Sequence, residues 1–222
     1  MPVLGSAFAI IVVKQLFGGL GQNFINPALI GRAFLVAAYP TQTTGAAFAT
    51  GRMVTDASTY ATPLAQLKAG TAIVNADAIK NALIGNVGGT IGETCAIALI
   101  IGGIYLLVKH VISWRIPVVY IVVVFILTSL MRGNGFLGGV YEIFCGGLML
   151  GAIFMATDYV TSPISAKGQI IFAIGCGVLT SLIRVYGGYP EGVSYSILIM
   201  NLAVPLIDRV TRPRIFGEVK AK

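Results

Sequence analysis

Charged residues are scarce in this sequence. Asp, Glu, Lys and Arg account for 10% of its 222 residues, whereas hydrophobic residues account for 56%. Soluble domains carry about 25% charged residues, so a protein whose whole surface meets water is excluded. The 15 Lys and Arg outnumber the 8 Asp and Glu, but they are dispersed at the ends of apolar runs. This placement is typical of loops that set membrane orientation, and nucleic-acid binding is not expected.

The residues of conventional catalytic and metal sites are also scarce. The sequence has one histidine, His110, and no P-loop, no nucleotide-binding domain and no paired carboxylates in a polar segment. Its three cysteines, Cys95, Cys145 and Cys176, are widely separated in apolar segments. This spacing favours buried packing over metal binding. Redox chemistry would therefore need an added cofactor.

Long apolar runs make up much of the sequence. A membrane-spanning helix needs about 20 apolar residues, and four runs qualify: 91–108, 116–131, 138–157 and 169–186. A fifth run is interrupted by Asn201 and Pro205, which predict a locally unwound helix. The runs at 3–17 and 27–39 are apolar but short. We predict one all-α membrane domain over residues 1–222, with five to seven spanning or half-spanning helices.

Glycine doublets precede several apolar elements, at residues 18–19, 88–89 and 187–188. Paired segments interrupted by Gly or Pro indicate inverted repeats with broken helices. Glycine doublets also serve as ordinary turns, because glycine readily adopts a positive φ. Both interpretations remain open at this point.

Basic residues predict the orientation of the chain. Lys109, His110 and Arg115 flank one turn, and five basic residues lie in the tail 208–222. Of the five predicted crossings, four lie between these two regions and so place both on one side, which the positive-inside rule assigns to the cytoplasm. The segment 40–90 is then an outward-facing loop region.

Four ionisable residues in or near the membrane runs are candidates for function, since such residues are costly there. Glu93, Glu142 and Arg184 fall toward the same leaflet as segment 40–90 and could form a polar cluster beneath it. Residues near helix ends can also extend to the interface at little cost. Arg32 lies near the middle of its run, which favours neutralising a phosphate or an acidic partner.

Two further sites have two interpretations each. Asp158 precedes Thr161 and Ser162, and it could cap a turn or help to bind a cation. Thr62 lies near the end of the polar stretch DASTYATPL at residues 56–64. Alone, Thr62 followed by Pro63 predicts a helix N-cap, but a long polar segment between apolar runs also indicates function.

Five segments in order carry a resemblance to a known family. They are GGLGQNFINPALIGRAF at 18–34, ATPL at 61–64, ISWRIP at 112–117, MATD with TSP in 155–163, and GGYPEG at 187–192. Together they resemble the D subunit of the Rnf electron-transport complex. The related B subunit of the Na⁺-translocating NADH:quinone oxidoreductase is similar. The resemblance covers nearly the whole chain.

The resemblance implies a covalent flavin. Such subunits carry FMN joined through its phosphate to a threonine, attached by a flavin transferase at a motif resembling Asp-x-x-Ser-Gly-Ala-Thr. Asp56, Thr59 and Ala61 occupy the matching places before Thr62, the expected attachment residue; Tyr60 departs from the motif, where a small residue is usual. Arg32 is an expected cofactor contact, and a non-covalent riboflavin is a further expectation.

The resemblance also implies a fold, a complex and a membrane location. It predicts an inverted-repeat fold like that of urea transporters, within a complex coupling ferredoxin and NAD⁺ to Na⁺ or H⁺ movement in the bacterial or archaeal cytoplasmic membrane. The expected partners are the A, B, C, E and G subunits of Rnf. Glu142, Glu93 and Asp158 are the ion-coupling candidates. Family members are longer, so the chain is expected to lack N-terminal helices.

Two alternatives remain. One is the quinone-reducing relative, the sodium-pump B subunit. The other is a flavin-free channel or transporter for a small polar solute, which accounts for intramembrane polar residues but not for the hydroxyl-rich stretch before Thr62.

Overall fold

The computed structural model describes residues 1–40, 43, 62–89, 92–133, 135–188 and 191–212, and within these ranges it has helices and no strand. The helices are α1 (Pro2–Gln15), α2 (Pro27–Ala38), α3 (Pro63–Lys68), α4 (Ala76–Ile84), α5 (Ala96–Val108), α6 (Arg115–Arg132), α7 (Gly135–Phe144), α8 (Leu148–Met155), α9 (Ala166–Tyr186) and α10 (Val193–Thr211). The second half of α1 and most of α8 are π-helical.

Three long helices form the centre of the molecule: α6 and α9 run parallel, and α10 runs antiparallel to both. α6, α9 and α10 are each long and apolar enough to cross a membrane. They enclose a core that includes Tyr120, Phe172 and Ile197, all fully buried. The Ser165 hydroxyl bonds the Thr211 hydroxyl at 2.7 Å, which joins the start of α9 to the end of α10. The chain is thus an all-α membrane protein, as predicted.

The run 138–157 was predicted as a membrane-spanning helix, and the structure divides it between two helices. α7 and α8 are separate helices bent by 66° across a short break. Gly146 lies in that break with φ +72°, a left-handed conformation that costs glycine little and other residues more. The bent pair brings the possible spans to four, beside the shorter apolar helices α1, α2 and α5.

The unwinding predicted near Asn201 and Pro205 was wrong, because α10 is continuous through both. With its amide oriented to match its neighbours, Asn201 donates to the carbonyls of Ile197 and Thr161, and accepts from Asn26 N, each at 3.2 Å. The buried amide is satisfied by adjacent segments, so the helix has no need to unwind around it.

Two other expectations need correction. In the run 91–108 the helix begins only at Ala96, after a turn. Segment 40–90 is more than a loop, since its described part contains α3 and α4, which pack on α7. The doublet Gly18-Gly19 has positive φ at both residues, which favours the turn interpretation there. The inverted repeat stays a prediction.

Candidate functional site

Thr62 is the N-cap of α3. Its side chain accepts a hydrogen bond from Ala65 N at 3.3 Å, and Pro63 follows at the first helical position. The capping geometry predicted from these residues alone is therefore present, and Thr62 is half-buried. Asp56, Thr59 and Ala61, the other predicted members of the attachment motif, lie outside the described residues.

The helix that follows Thr62 lies directly on the break between α7 and α8. Leu64 and Leu67 are buried against Tyr141 and Cys145. A Cβ at Gly146 would lie 2.5 Å from Leu64 Cδ1, well inside contact distance. Any larger residue at this position would therefore require the Leu64 side chain to move.

A buried arginine donates hydrogen bonds to backbone carbonyls at the break between α7 and α8. Arg184 has no exposed surface, and Glu142 is 1% exposed. Arg184 Nη1 donates to Glu142 O at 2.8 Å, and Nη2 donates to Cys145 O at 3.4 Å. Carbonyls in the last turn of a helix lack partners within it, and the guanidinium supplies them. Its Nε donates to Glu191 O at 3.2 Å.

A second arginine shares the Glu142 carboxylate. Arg132 Nε lies 2.8 Å from Glu142 Oε1, while Arg184 Nη1 lies 3.9 Å from Glu142 Oε2. Arg132 also donates to Leu67 O at 3.2 Å and to Arg184 O at 3.0 Å. One buried carboxylate therefore lies between two guanidinium groups, one of which also contacts α3.

Three more charged side chains lie beside the break. Arg32 and Glu191 form an ion pair at 2.8 Å, and Arg32 Nη1 donates to Ser194 Oγ at 3.4 Å. Glu93 is 3% exposed. A Cβ at Gly147 would lie 2.7 Å from Glu93 Oε2 and 4.0 Å from Arg32 Nη1. The cluster thus has as many arginines as glutamates, which lowers the cost of burying its charges.

The structure brings together most of the predicted site. A narrow cleft that leads from Thr62 to the break is lined by Glu93 and Glu191, among others, and Glu142, Arg184 and Arg32 surround the break. Within the described ranges, no group of three His, Cys, Asp or Glu residues is arranged to hold a metal ion.

Asp158 is not part of this cluster. It lies in the turn between α8 and α9, at the end of the molecule opposite Thr62, where Thr161 Oγ1 donates to its Oδ2 at 2.9 Å. This geometry is that of a capped turn. Asp158 also lines a cavity of about 660 Å³ together with Lys14, Asn23 and Arg32, a volume typical of ligand sites.

Sequence reasoning missed two members of the cluster, Arg132 and Glu191. Arg132 closes an apolar run just before a glycine, so it resembled an ordinary helix-end residue. Glu191 lies in the segment GGYPEG, whose glycines and proline predict a turn. The signal in the sequence was the acidic residue, which lies two residues before an apolar run begins.

The fold and the cluster define a class of protein. It is a helical membrane protein with a broken span and paired charges at the break, features typical of proteins that move ions or electrons across bilayers. The chain belongs to the NQR2, RnfD, RnfE family, whose model matches residues 1–217. The resemblance found in the sequence is thereby confirmed.

Individual relatives are similar over nearly the whole chain. The D subunit of the Na⁺-translocating ferredoxin:NAD⁺ oxidoreductase complex of Acetobacterium woodii is 54% identical, covering 99% of this chain and 67% of that protein. The D subunit of the proton-translocating ferredoxin:NAD⁺ oxidoreductase complex of Clostridium ljungdahlii is 49% identical, covering 98% and 68%. The D subunit of the ion-translocating oxidoreductase complex of Stutzerimonas stutzeri is 40% identical, covering 98% and 70%. The chain thus spans about two thirds of each relative.

Proposed function

We propose that this chain is the D subunit of an ion-translocating ferredoxin:NAD⁺ oxidoreductase complex, a membrane oxidoreductase of the Rnf type. The observation that carries the proposal is the match of residues 1–217 to the family, together with relatives named as the D subunit of such complexes. The chain acts within the complex, with the A, B, C, E and G subunits of Rnf as its partners in the cytoplasmic membrane.

Covalent FMN on Thr62 is part of the proposal. The described residues fit the group, because Thr62 is half-buried rather than enclosed. Its contact with Ala65 N uses the oxygen as an acceptor, a role that a phosphoester oxygen can keep. When bound, FMN would supply one- and two-electron redox chemistry that no side chain here can supply. Attachment requires a flavin transferase.

Ion coupling is proposed for Glu142, Glu93 and Asp158. Glu142 contacts Arg132 and Arg184, so its charge is already compensated. This favours a response to nearby charge over direct cation binding. Glu93 lies nearer to Thr62, and Asp158 lies at the opposite end. The Acetobacterium relative is named for Na⁺ and the Clostridium relative for protons, so both ions are candidates.

A non-covalent riboflavin is proposed for the cavity of about 660 Å³. Its lining is mainly apolar, with polar side chains at Ser6 and Asn23, and it also includes the charged Lys14, Arg32 and Asp158. An uncharged ring system with a hydroxylated chain suits such a lining.

The flavin proposal is tested with Thr62→Ala, and Thr71→Ala is the matched control. Thr71 lies just beyond α3 and is exposed, with its hydroxyl bonded to Gln66 O. After expression with a flavin transferase, the parent and Thr71→Ala should show flavin fluorescence that survives denaturing gel electrophoresis. Thr62→Ala should show none.

Two outcomes would contradict the flavin proposal. Fluorescence that persists in Thr62→Ala would place the flavin elsewhere. Absence from the parent, with the transferase active on a control substrate, would favour the flavin-free transporter.

A further inference from the structure

The helix that follows Thr62 is too short to be stable without tertiary contacts. α3 has six residues, and isolated helices below about 12 residues are marginal in water. The position of Thr62, its N-cap, therefore depends on what α3 contacts.

Arg132 makes a partly buried polar contact that joins α3 to the spanning helices, beside the exposed contact of Lys68 Nζ with Gly187 O at the end of α9. Arg132 Nη1 donates to Leu67 O at 3.2 Å, in the last turn of α3, where carbonyls lack helical partners. The same guanidinium donates to Arg184 O in α9 and lies 2.8 Å from the Glu142 carboxylate in α7. Arg132 itself belongs to α6, so one side chain joins four helices.

Arg184 fixes the surface on which α3 lies. It binds Glu142 O and Cys145 O on one side of the break and Glu191 O before α10. A Cβ at Gly146, which follows Cys145, would clash with Leu64, so this backbone lies directly beneath α3. Movement of Arg184 would therefore move the support beneath Thr62.

Burial strengthens the electrostatic contacts of Arg132 and Glu142. The Arg132 side chain is 12% exposed and the Glu142 side chain 2% exposed, so water screens their attraction only weakly. Removing one member of such a buried pair leaves the other charge uncompensated.

We propose that Arg132 and Arg184 are positioning residues for Thr62, which hold α3 on the break between α7 and α8 through a relay of guanidinium contacts. As a statement about flavin orientation, this rests on the proposed function. As a statement about where Thr62 lies, it stands on the geometry alone.

Arginine is required for this task because its planar group presents donors in several directions. Lysine keeps the charge but offers a single ammonium point, which cannot reach Leu67 O, Arg184 O and Glu142 together. Arg132→Lys is therefore the most informative variant, since it preserves net charge while removing the simultaneous guanidinium contacts. Arg184 is less suitable, because its complete burial makes misfolding of any variant a concern.

The first experiment needs no flavin. A spin label is placed on Thr62→Cys in the full chain with Cys95→Ser; Cys145 and Cys176 are buried. We expect Arg132→Lys to make the label at position 62 more mobile by electron paramagnetic resonance. The control Lys80→Gln alters an exposed side chain that pairs with Asp77, and it should leave the spectrum unchanged.

A second spin-label position distinguishes a local effect on Thr62 from a general increase in the mobility of the protein. Ile104→Cys lies on α5 with 55% of its surface exposed, away from the cluster. Its spectrum should be the same with and without Arg132→Lys. An unchanged spectrum at position 62, or an equal gain of mobility at position 104, would overturn the proposal.

The second experiment uses the flavinylated protein in its native state. Arg132→Lys should retain the covalent flavin but lower its fluorescence anisotropy and shift its midpoint potential relative to the parent. Equal anisotropy and potential in both proteins would overturn the inference about flavin orientation. A parent without flavin on Thr62 would instead contradict the proposed function, and the spin-label result would still decide the placement of α3.

Discussion

Gly146 shows how one residue determines the geometry of the site. Its φ of +72° turns the chain between α7 and α8, and its missing side chain admits Leu64 from α3. A Cβ there would also lie 3.6 Å from Arg184 Nη2. The same glycine therefore permits both the turn and the contact with α3, beside the guanidinium of Arg184.

The two roles of Gly146 can be separated by comparing Gly146→Ala with Gly70→Ala. Gly70 has almost the same φ, +71°, but no atom within 4 Å of an added Cβ. Both variants should lose about 1–2 kcal/mol from left-handed strain. Gly146→Ala should lose a further ~1–3 kcal/mol from overpacking against Leu64.

The measurement is thermal unfolding of both variants in one detergent. Equal losses of stability would show that Leu64 moves aside at no cost, and that its contact with Gly146 does not fix α3.

At the residue scale, ionisable groups in apolar runs were the informative signal. Glu93, Glu142 and Arg184 were expected to cluster, and they do, because few other partners exist for charges inside a membrane. Asp158 has the same chemistry as these acids, but the fold places it at the opposite end. Arg132 was missed because its partners come from three distant segments of the chain.

At the element scale, the contrast between α7–α8 and α10 is instructive. Both runs are apolar and both contain a residue that disrupts helices. The run with Gly146 breaks, whereas the run with Pro205 continues. The break is possible because Arg184 binds the freed carbonyls. Hydropathy and local propensity cannot reveal a tertiary partner of this kind, so the sequence predicted the helical class but misplaced the break.

The buried amide of Asn201 is expected to hold α10 against its neighbours, and Asn201→Ala tests this. The substitution would leave Asn26 N and Thr161 O without their side-chain partner. Each buried group left unsatisfied costs about 1–3 kcal/mol. The matched control is Asn81→Ala, at an exposed position of α4, which should stay near the parent.

Stability is compared by chemical unfolding of the two asparagine variants under identical conditions. If Asn201→Ala proved as stable as Asn81→Ala, the amide contacts would not account for the continuity of α10.

At the scale of the whole molecule, the polar groups separate into two ends. Thr62 and its cluster lie where α6 and α9 end. The starts of those helices lie at the opposite end, joined by the Ser113–Gln169 bond of 3.0 Å, and α10 ends there too. Between them, large apolar side chains such as Leu130 and Leu206 are well exposed, as lipid contact requires. Thr62 and the C-terminal end of α10 thus lie at opposite ends of the molecule, as the predicted topology requires. Which end faces outward stays a prediction from the basic residues.

That orientation is tested with Ala69→Cys and Ile164→Cys, each in a Cys95→Ser chain. Ala69 is exposed just after α3, and Ile164 is 90% exposed in the turn before α9. Because Lys and Arg concentrate in cytoplasmic loops, the end that contains Arg115 and Arg209 should lie inside. A membrane-impermeant maleimide should therefore label Ala69→Cys in intact cells. It should label Ile164→Cys only after the membrane is permeabilised. The reverse pattern would place Thr62 on the cytoplasmic side and contradict the orientation predicted from the basic residues.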